Sequence, residues 1–147
     1  MKKEVNRMSL RFPARSSNEG FARSAVTAFA VQLDPTLEEL GDLKTAVSEA
    51  VTNCIVHAYP DSLGEIALTA ILWEDGVLEI RIRDRGRGIE DVEKAREPLY
   101  TTGGSERSGM GFTIMESFMD SLKVRSQPGK GTVVVMKKKI HVKAPVR

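Results

Sequence analysis

One long helical segment limits what this chain can fold into more than any other feature of the sequence. The capping-box pattern Thr36-x-x-Glu39 predicts a helix that begins there and runs to about Ala58. Apolar residues recur along it at helical spacing, at Leu37, Leu40, Val47, Val51, Cys54 and Ile55. Glu49 and Asn53 are four residues apart, so their side chains share a separate polar stripe. We therefore expect one face of this helix to pack on a core and another to carry polar chemistry.

The other segments predict a two-layer α+β sandwich, with a mixed, mainly antiparallel sheet and helices on one face. Period-two alternation and turn residues place strands at 5–12, 66–73, 78–82, 122–126 and 132–136. Helical spacing places further helices at 16–34, 91–96 and 112–119. The first of these begins with a second capping-box pattern, Ser16-x-x-Glu19.

The bulk properties favour one intracellular domain. All 147 residues are expected to form a single unit, with a core at about residues 8–137 and a basic tail at 138–147. The net charge of +2 is too small to indicate binding to nucleic acid or to a membrane. The single cysteine, Cys54, excludes an intrachain disulfide, and no apolar run is long enough for a signal peptide or a membrane span. We therefore expect a cytoplasmic protein whose C-terminal lysines are solvated.

The polar stripe of the long helix suits a metal-assisted reaction. Asn53 offers a hard oxygen to Mg²⁺, and Glu49 can accept a proton or orient water. A solvated polar stripe on an amphipathic helix is the alternative for this pattern taken alone. His57 continues the stripe, but no second histidine or cysteine lies at ligand spacing, so we interpret it as a packing residue.

A turn rich in glycine follows the strand predicted at 78–82. Asp84 can accept a hydrogen bond from an exocyclic amine such as that of adenine, and Gly86 and Gly88 would let a planar base approach the backbone. An ordinary Asp-Gly turn is the alternative, but Ile89 and the long irregular segment after it are not what a tight hairpin needs. The turn therefore favours an adenine site.

A third motif opens the helix at Phe112. Gly109-Met110-Gly111 would present backbone N–H groups to a phosphate, and Arg107 could pair with a γ-phosphate oxygen. A flexible connection and a solvated arginine are the alternatives. The chain lacks a Rossmann fingerprint between a strand and a helix, a P-loop Gly-Lys-Ser/Thr and the protein-kinase motifs. Together the three motifs predict an ATP site of another kind.

These motifs, in this order, resemble those of the GHKL superfamily (gyrase, heat-shock chaperone, histidine kinase and MutL), whose ATP site is the Bergerat fold. The N box, the two glycine boxes and the last motif correspond to Glu49-x-x-x-Asn53, Asp84-x-Gly86-x-Gly88, Gly109-Met110-Gly111 and Gly131-Thr132. The resemblance covers roughly residues 8–137, nearly the whole chain. It implies the two-layer α+β fold and places Thr132 near the adenine.

Within the superfamily the chain resembles the anti-sigma-factor serine kinases of sporulating bacilli. The stretches that carry this resemblance are Ala14-Arg-Ser, Phe21-Ala-Arg23, Leu33-Asp-Pro35, Val47-Ser-Glu-Ala-Val-Thr-Asn53 and Glu106-Arg-Ser-Gly-Met-Gly-Phe-Thr-Ile-Met-Glu116. General-stress anti-sigma kinases are the nearest alternative. The segment from Thr101 to Arg107 departs from the pattern, since it is shorter and richer in glycine than the family's lid.

The resemblance implies a homodimer with two alternative partners. With ATP it would hold a sigma factor away from RNA polymerase, and it would phosphorylate a serine of a STAS-type anti-anti-sigma factor. Glu49 would be the general base and Asn53 would hold Mg²⁺. Asp84 would read adenine, and Arg107 would sense the γ-phosphate. Arg23 matches a position that grips both partners. Further ATP contacts are implied at Gly86, Gly88, Ile89, Thr101, Ser108, Gly109, Met110, Gly111, Phe112 and Thr132.

Two other functions are left open by the residues themselves. One is a binding module in which ATP sets the shape that grips a sigma factor, without phosphate transfer. The other is a detached histidine-kinase catalytic domain, which would need a helical hairpin with a phosphorylatable histidine. The chain has only His57 and His141, and neither lies in such a setting. The kinase and the binding module are therefore favoured, and the two can coexist in one protein.

Overall fold

The computed structural model describes residues 2–97 and 111–140. Five of the residues assigned above to the ATP site lie outside these ranges, namely Thr101, Arg107, Ser108, Gly109 and Met110. The C-terminal residues 141–147 also lie outside them. The described ranges contain every predicted strand and the whole of the helix that carries Glu49 and Asn53.

One five-stranded sheet forms the first layer of the described structure. Its strands are β1 (Glu4–Pro13), β2 (Glu65–Trp73), β3 (Val77–Asp84), β4 (Ser121–Gln127) and β5 (Gly131–Lys139). They lie in the order β1-β2-β3-β5-β4, and all four neighbouring pairs are antiparallel. We expected a mixed sheet, but the described strands include no parallel pair. Tight hairpins join β2 to β3 and β4 to β5, and a hairpin makes its two strands antiparallel.

Helices form the second layer. They are α1 (Ser17–Ala30), α2 (Leu37–Asn53), α3 (Val92–Ala95) and α4 (Gly111–Phe118). A 3₁₀ turn, Val31–Leu33, follows α1, and a π-helical turn, Cys54–Ala58, continues α2. Helix α2 packs between α1 and α4, and the predicted two-layer α+β sandwich is confirmed. Across residues 2–97 and 111–140, no helix combines the length and the apolar character needed to cross a membrane.

The core lies between the helices and the face of the sheet that they cover. Val26, Val47, Ile80 and Met136 are all fully buried in it. Leu37, which we expected to join them, is instead 88% exposed. It lies six residues before the buried Leu43, which is about 120° around a helix of 3.6 residues per turn, so its side chain points away from the core.

Only one of the two predicted capping boxes forms. The Thr36 hydroxyl accepts from the Glu39 N–H at 3.0 Å, and the Thr36 N–H donates to the Glu39 carboxylate at 2.9 Å. The prediction at Ser16 is wrong, because its φ of −58° and ψ of −31° are helical and its side chain makes no capping bond. Capping requires an extended residue at that position. The Glu19 carboxylate accepts instead from the Ser48 hydroxyl on α2.

The difference between the two caps can be tested by a matched pair of variants. Thr36→Ala should destabilise the protein by about 1 kcal/mol, because it removes the acceptor for an N–H in the first turn of α2. Ser16→Ala should change the free energy of unfolding by less than about 0.5 kcal/mol, because no capping bond is lost. Urea unfolding of both variants measures the two values. Equal losses would contradict the assignment of the caps.

Candidate functional site

A cleft of about 710 Å³ opens where α2, the end of β3, α3, the start of α4 and the β4–β5 turn meet. Its size is typical of a site for a small ligand. Seven of the residues predicted for the ATP site line it: Asn53, Asp84, Gly88, Ile89, Gly111, Phe112 and Thr132. The structure thus brings together residues from all four predicted motifs, which are separated by up to 79 positions in the sequence (132 − 53 = 79).

Asp84, the last residue of β3, is the most constrained polar group of the cleft. Its Oδ1 accepts from the backbone N–H of Gly86 at 2.9 Å and of Thr132 at 3.2 Å. Its Oδ2 accepts from the Cys54 thiol at 3.5 Å. Burial raises the pKa of the Asp84 carboxyl, although these hydrogen bonds oppose the change. A carboxylate oxygen has two lone pairs, so Oδ2, which accepts one bond, can accept a further N–H from a ligand in the cleft.

Cys54 forms the wall behind Asp84. It begins the π-helical turn, and its side chain is buried. Burial, followed by the nearby charge of Asp84, raises the pKa of the thiol well above its usual value. The sulfur therefore keeps its proton at neutral pH and acts as a weak hydrogen-bond donor to the carboxylate.

The glycines of the turn after β3 are required by contacts within the protein. A Cβ at Gly86 would overlap the carbonyl oxygen of Ala58, and a Cβ at Gly88 would overlap the carbonyl oxygen of Gln127. Gly88 also has a φ of +75°, which favours glycine. We expected these glycines to make room for a base. The structure shows that they make room for the π turn on one side and for the β4–β5 turn on the other.

Asn53 and Glu49 take different positions relative to the cleft. Asn53, the last residue of α2, lines it, and the side-chain oxygen of Asn53 would lie 3.1 Å from a Cβ at Gly111. Glu49 lies one helical turn earlier, is half-buried, and is not among the described lining residues. His57, which we interpreted as a packing residue, lines the cleft one turn after Asn53. Of the three residues of the polar stripe, Asn53 and His57 therefore line the cleft, and Glu49 lies next to it along the helix.

Thr132 and Ile89 are held in place by one serine. The Ser126 hydroxyl accepts from the Ile89 N–H at 2.8 Å, and it lies 2.8 Å from the Thr132 hydroxyl. It also bonds the Gly131 carbonyl at 2.9 Å. Ser126 thus ties the turn after β3 to the β4–β5 hairpin, although nothing in its local sequence distinguishes it from an ordinary strand residue.

Helix α3 contributes lining residues that sequence reasoning missed. Asp91, Lys94 and Ala95 line the cleft, as does Arg87 from the turn before them. The Asp91 side chain caps the helix by accepting from the Lys94 N–H at 3.0 Å. A short helix was predicted here, but its spacing carries no sign that it faces the site. Arg87 and Lys94 bring positive charge to the lining, which also carries the carboxylates of Asp84, Glu90 and Asp91.

The described residues offer no ready-made metal cage. Within residues 2–97 and 111–140, no group of three or more His, Cys, Asp or Glu side chains could hold a metal ion. The carboxamide of Asn53 nevertheless fits Mg²⁺, which keeps several waters and takes other ligands from substrate phosphates. A single protein oxygen at the end of α2 is compatible with that mode of binding.

Arg23 lies on α1, away from the described lining of the cleft. Its guanidinium is 3.8 Å from the Glu19 carboxylate, and its side chain is 43% exposed. Glu19 in turn accepts from Ser48, the residue directly before Glu49. The proposed partner residue and the proposed base are therefore carried by two helices that one hydrogen bond joins.

The burial of Asp84 leads to a prediction on stability. Because the pKa of Asp84 is higher in the folded state than in the unfolded state, the folded state binds this proton more tightly. The free energy of unfolding therefore decreases as the pH rises through the folded-state pKa. Asp84→Asn keeps an acceptor for the Gly86 and Thr132 N–H groups without a charge. We expect it to melt at a higher temperature than the wild type at pH 7, with a difference that shrinks as the pH falls toward 3.8, the ordinary pKa of Asp.

Thermal unfolding measured between pH 4 and pH 8 tests this prediction. Asp61→Asn, in the exposed segment before β2, controls for the loss of one negative charge and should show no such trend. A lower melting temperature for Asp84→Asn across the whole range would contradict the claim that burial of this carboxylate costs stability.

Comparison with known proteins agrees with this site. Residues 12–138 match the family model of the histidine kinase-like ATPase domain. The anti-sigma F factor of Caldanaerobacter subterraneus is 58% identical over 136 residues, which cover 92% of this chain and 94% of the relative. That of Clostridium acetobutylicum is 58% identical over 135 residues, covering 91% and 94%. That of Geobacillus kaustophilus is 55% identical over 136 residues, covering 92% and 93%.

Solved structures share the fold at much lower identity. The RsbU and RsbW domains of a Mycobacterium tuberculosis protein match with a TM-score of 0.70 and 17% identity, over 97% of this chain and 35% of that one. A blue-light activated histidine kinase domain from Erythrobacter litoralis matches with a TM-score of 0.58 and 21% identity, over 83% and 61%. These two likenesses show the fold alone. With the family match and the identity to relatives over more than nine-tenths of its length, this chain belongs to the histidine kinase-like ATPases and, among them, to the anti-sigma F factor family.

Proposed function

We propose that this chain is a cytoplasmic, ATP-dependent anti-sigma factor that also phosphorylates a serine of a STAS-type anti-anti-sigma factor. The observation that carries the proposal is the cleft that joins Asp84 to Asn53, in a chain 55–58% identical to proteins named anti-sigma F factors. The proposed partner in the ATP form is a sporulation sigma factor of the F type. A homodimer is proposed from the family resemblance.

The proposed ATP pose follows from the polarity of the cleft. The adenine lies at Asp84, whose carboxylate accepts from the 6-amino group. The phosphates lie toward the start of α4, where Gly111 meets Asn53 and where helix N–H groups favour negative charge. The Asn53 side-chain oxygen would hold Mg²⁺, which would supply charge neutralisation at the transferred group. Arg107 and the Gly109 and Met110 backbone complete the phosphate site in this proposal.

Glu49 is proposed as the general base for the transfer. In support of this role, Glu49 lies one helical turn before Asn53 on α2, and Asn53 lines the cleft. It accepts the proton of the substrate serine hydroxyl as that oxygen bonds to the γ-phosphorus. The bond from phosphorus to the β,γ-bridging oxygen breaks, and ADP leaves.

If Glu49 is the general base, its loss should slow phosphate transfer without weakening ATP binding. Glu49→Gln should lower the rate of phosphate transfer by about 10²–10⁴-fold and leave the Kd for ATP unchanged, because Glu49 touches the substrate hydroxyl and not the nucleotide. Transfer is measured with γ-labelled ATP, Mg²⁺ and a purified STAS antagonist. Glu38→Gln, in the exposed first turn of the same helix, is the control and should keep full activity. Equal losses of ATP binding and transfer would exclude the base role.

The chemistry of the product separates the kinase from its alternatives. Phosphoserine survives acid, whereas phosphohistidine does not. An acid-stable label on the antagonist supports the serine kinase, and an acid-labile label indicates transfer to histidine. Absence of label, with ATP bound and the sigma factor held, would leave a nucleotide-gated binding module.

The second activity, binding of a sigma factor, is proposed to depend on Arg23. Its guanidinium is partly exposed on α1 and is positioned by Glu19, so it is free of the nucleotide cleft. Arg23→Glu should weaken binding to a purified sigma factor F by about tenfold or more and leave the Kd for ATP unchanged. Arg11→Glu, which reverses an exposed charge on β1, is the matched control. Unchanged sigma-factor binding would remove Arg23 from the interface, and preferential binding to a general-stress sigma factor would favour that related role.

A further inference from the structure

The hydrogen-bonded ladder between β2 and β3 stops at the mouth of the cleft for an identifiable reason. Its last pair is Ile66 with Asp84, and the next pair in register would be Glu65 with Arg85. Instead of bonding each other, both of these residues bond the Tyr59 hydroxyl. It accepts from the Arg85 N–H at 2.7 Å and donates to the Glu65 carbonyl at 2.8 Å. A phenol oxygen is thus inserted between the two strands where a direct bond would otherwise form.

Tyr59 is itself held from two sides. Its backbone N–H donates to the Cys54 carbonyl at 3.3 Å, a bond between residues five apart that closes the π turn. Its ring packs on Gly64, where a Cβ would overlap the ring atoms. The hydroxyl is therefore placed by the backbone after α2 and by the start of β2, and it has little freedom to follow Arg85 if Arg85 moves.

The inserted hydroxyl acts on Asp84 through one peptide group. The Arg85 N–H and the Asp84 carbonyl belong to the same planar peptide unit. Tyr59 holds the N–H end, and the carbonyl end lies against Gly131, where a Cβ would overlap the Asp84 oxygen. With both ends of the plane held, the direction in which the Asp84 side chain leaves the backbone is fixed. Asp84 itself pairs with Ile66 on β2 and Thr132 on β5, but the β2–β3 ladder ends there, so these two contacts hold the peptide group that follows it.

We propose that Tyr59 is a positioning residue for adenine selection: by ending the β2–β3 ladder, its hydroxyl aims the Asp84 carboxylate at the 6-amino group of the base. This inference rests on the proposed function, in which Asp84 receives that amine. Tyr59 touches no nucleotide in this account. Among residues 2–97 and 111–140 it is the side chain that bonds the Arg85 N–H, so its effect passes through the backbone to Asp84.

The test compares two nucleotides on one variant. Tyr59→Phe removes the hydroxyl and leaves the ring on Gly64. We expect the Kd for ATP to rise by about three- to tenfold, as for the loss of one structural hydrogen bond. The Kd for inosine triphosphate, which has an oxo group in place of the amine, should stay the same. Both Kd values are measured by calorimetry on the full chain. The Kd for inosine triphosphate divided by the Kd for ATP should therefore fall by the same factor. A purely structural role would lower the melting temperature without changing this ratio.

Trp73→Phe is the matched control, because it also removes one hydrogen bond from an aromatic ring, to Glu79. That bond lies at the opposite end of β2, so the ratio should equal that of the wild type. Equal weakening of both nucleotides by Tyr59→Phe, or no weakening of either, overturns the positioning role. The Kd values of the wild-type protein for the two nucleotides test the proposed function separately. Failure to bind ATP would remove that function, and equal affinity for both nucleotides would remove the amine contact of Asp84 together with this inference.

Discussion

The rest of this site depends on one buried carboxylate. Asp84 Oδ1 takes two backbone N–H groups, from Gly86 on its own turn and from Thr132 on the neighbouring strand. These bonds bring the turn after β3 against β5, and they require a glycine at Gly131, where a Cβ would overlap the Asp84 carbonyl oxygen. The third segment, the π turn, is attached by the Arg87 N–H, which donates to the Ala58 carbonyl at 3.1 Å. Three segments distant in sequence thus meet at a single charged group.

That arrangement works against stability and in favour of binding. A carboxylate removed from water loses hydration that two amide groups and a weak thiol donor replace only in part, which is why its pKa is raised. The well-packed core between the helices and the sheet offsets this cost. The remaining lone pair of Oδ2 is what a ligand with an N–H group can use. If every acceptor of this carboxylate were hydrogen-bonded within the protein, none would remain to bind a nucleotide.

Local sequence patterns predicted the helices and strands well, but they did not predict contacts between residues distant in the sequence. The strands, the hairpins and the Thr36 cap depend on residues a few positions apart, so their patterns are visible in the sequence. The Ser16 cap does not form because the backbone of Ser16 is helical, and the Glu19 carboxylate bonds Ser48 on another helix instead. Gly86 was predicted to make room for a base, but it is not among the described lining residues, and a Cβ there would meet the π turn. Tyr59 was missed altogether, because its hydroxyl partners lie six and 26 residues away and no motif connects them.

Helix α2 is where the proposed activities meet, and its geometry explains how they stay separate. Asn53 ends the regular helix and lines the cleft, whereas Glu49 lies one turn back, outside the described lining. A further step back, Ser48 bonds Glu19, which also positions Arg23 on α1. Along six residues the helix thus passes from a proposed nucleotide ligand to a proposed base and then to the support of a proposed partner contact (53 − 48 + 1 = 6). Because a helix is stiff over such a length, a nucleotide that displaced Asn53 would also displace Ser48 and its bond to Glu19, and in the proposed function this is how ATP would bias the partner surface without touching it.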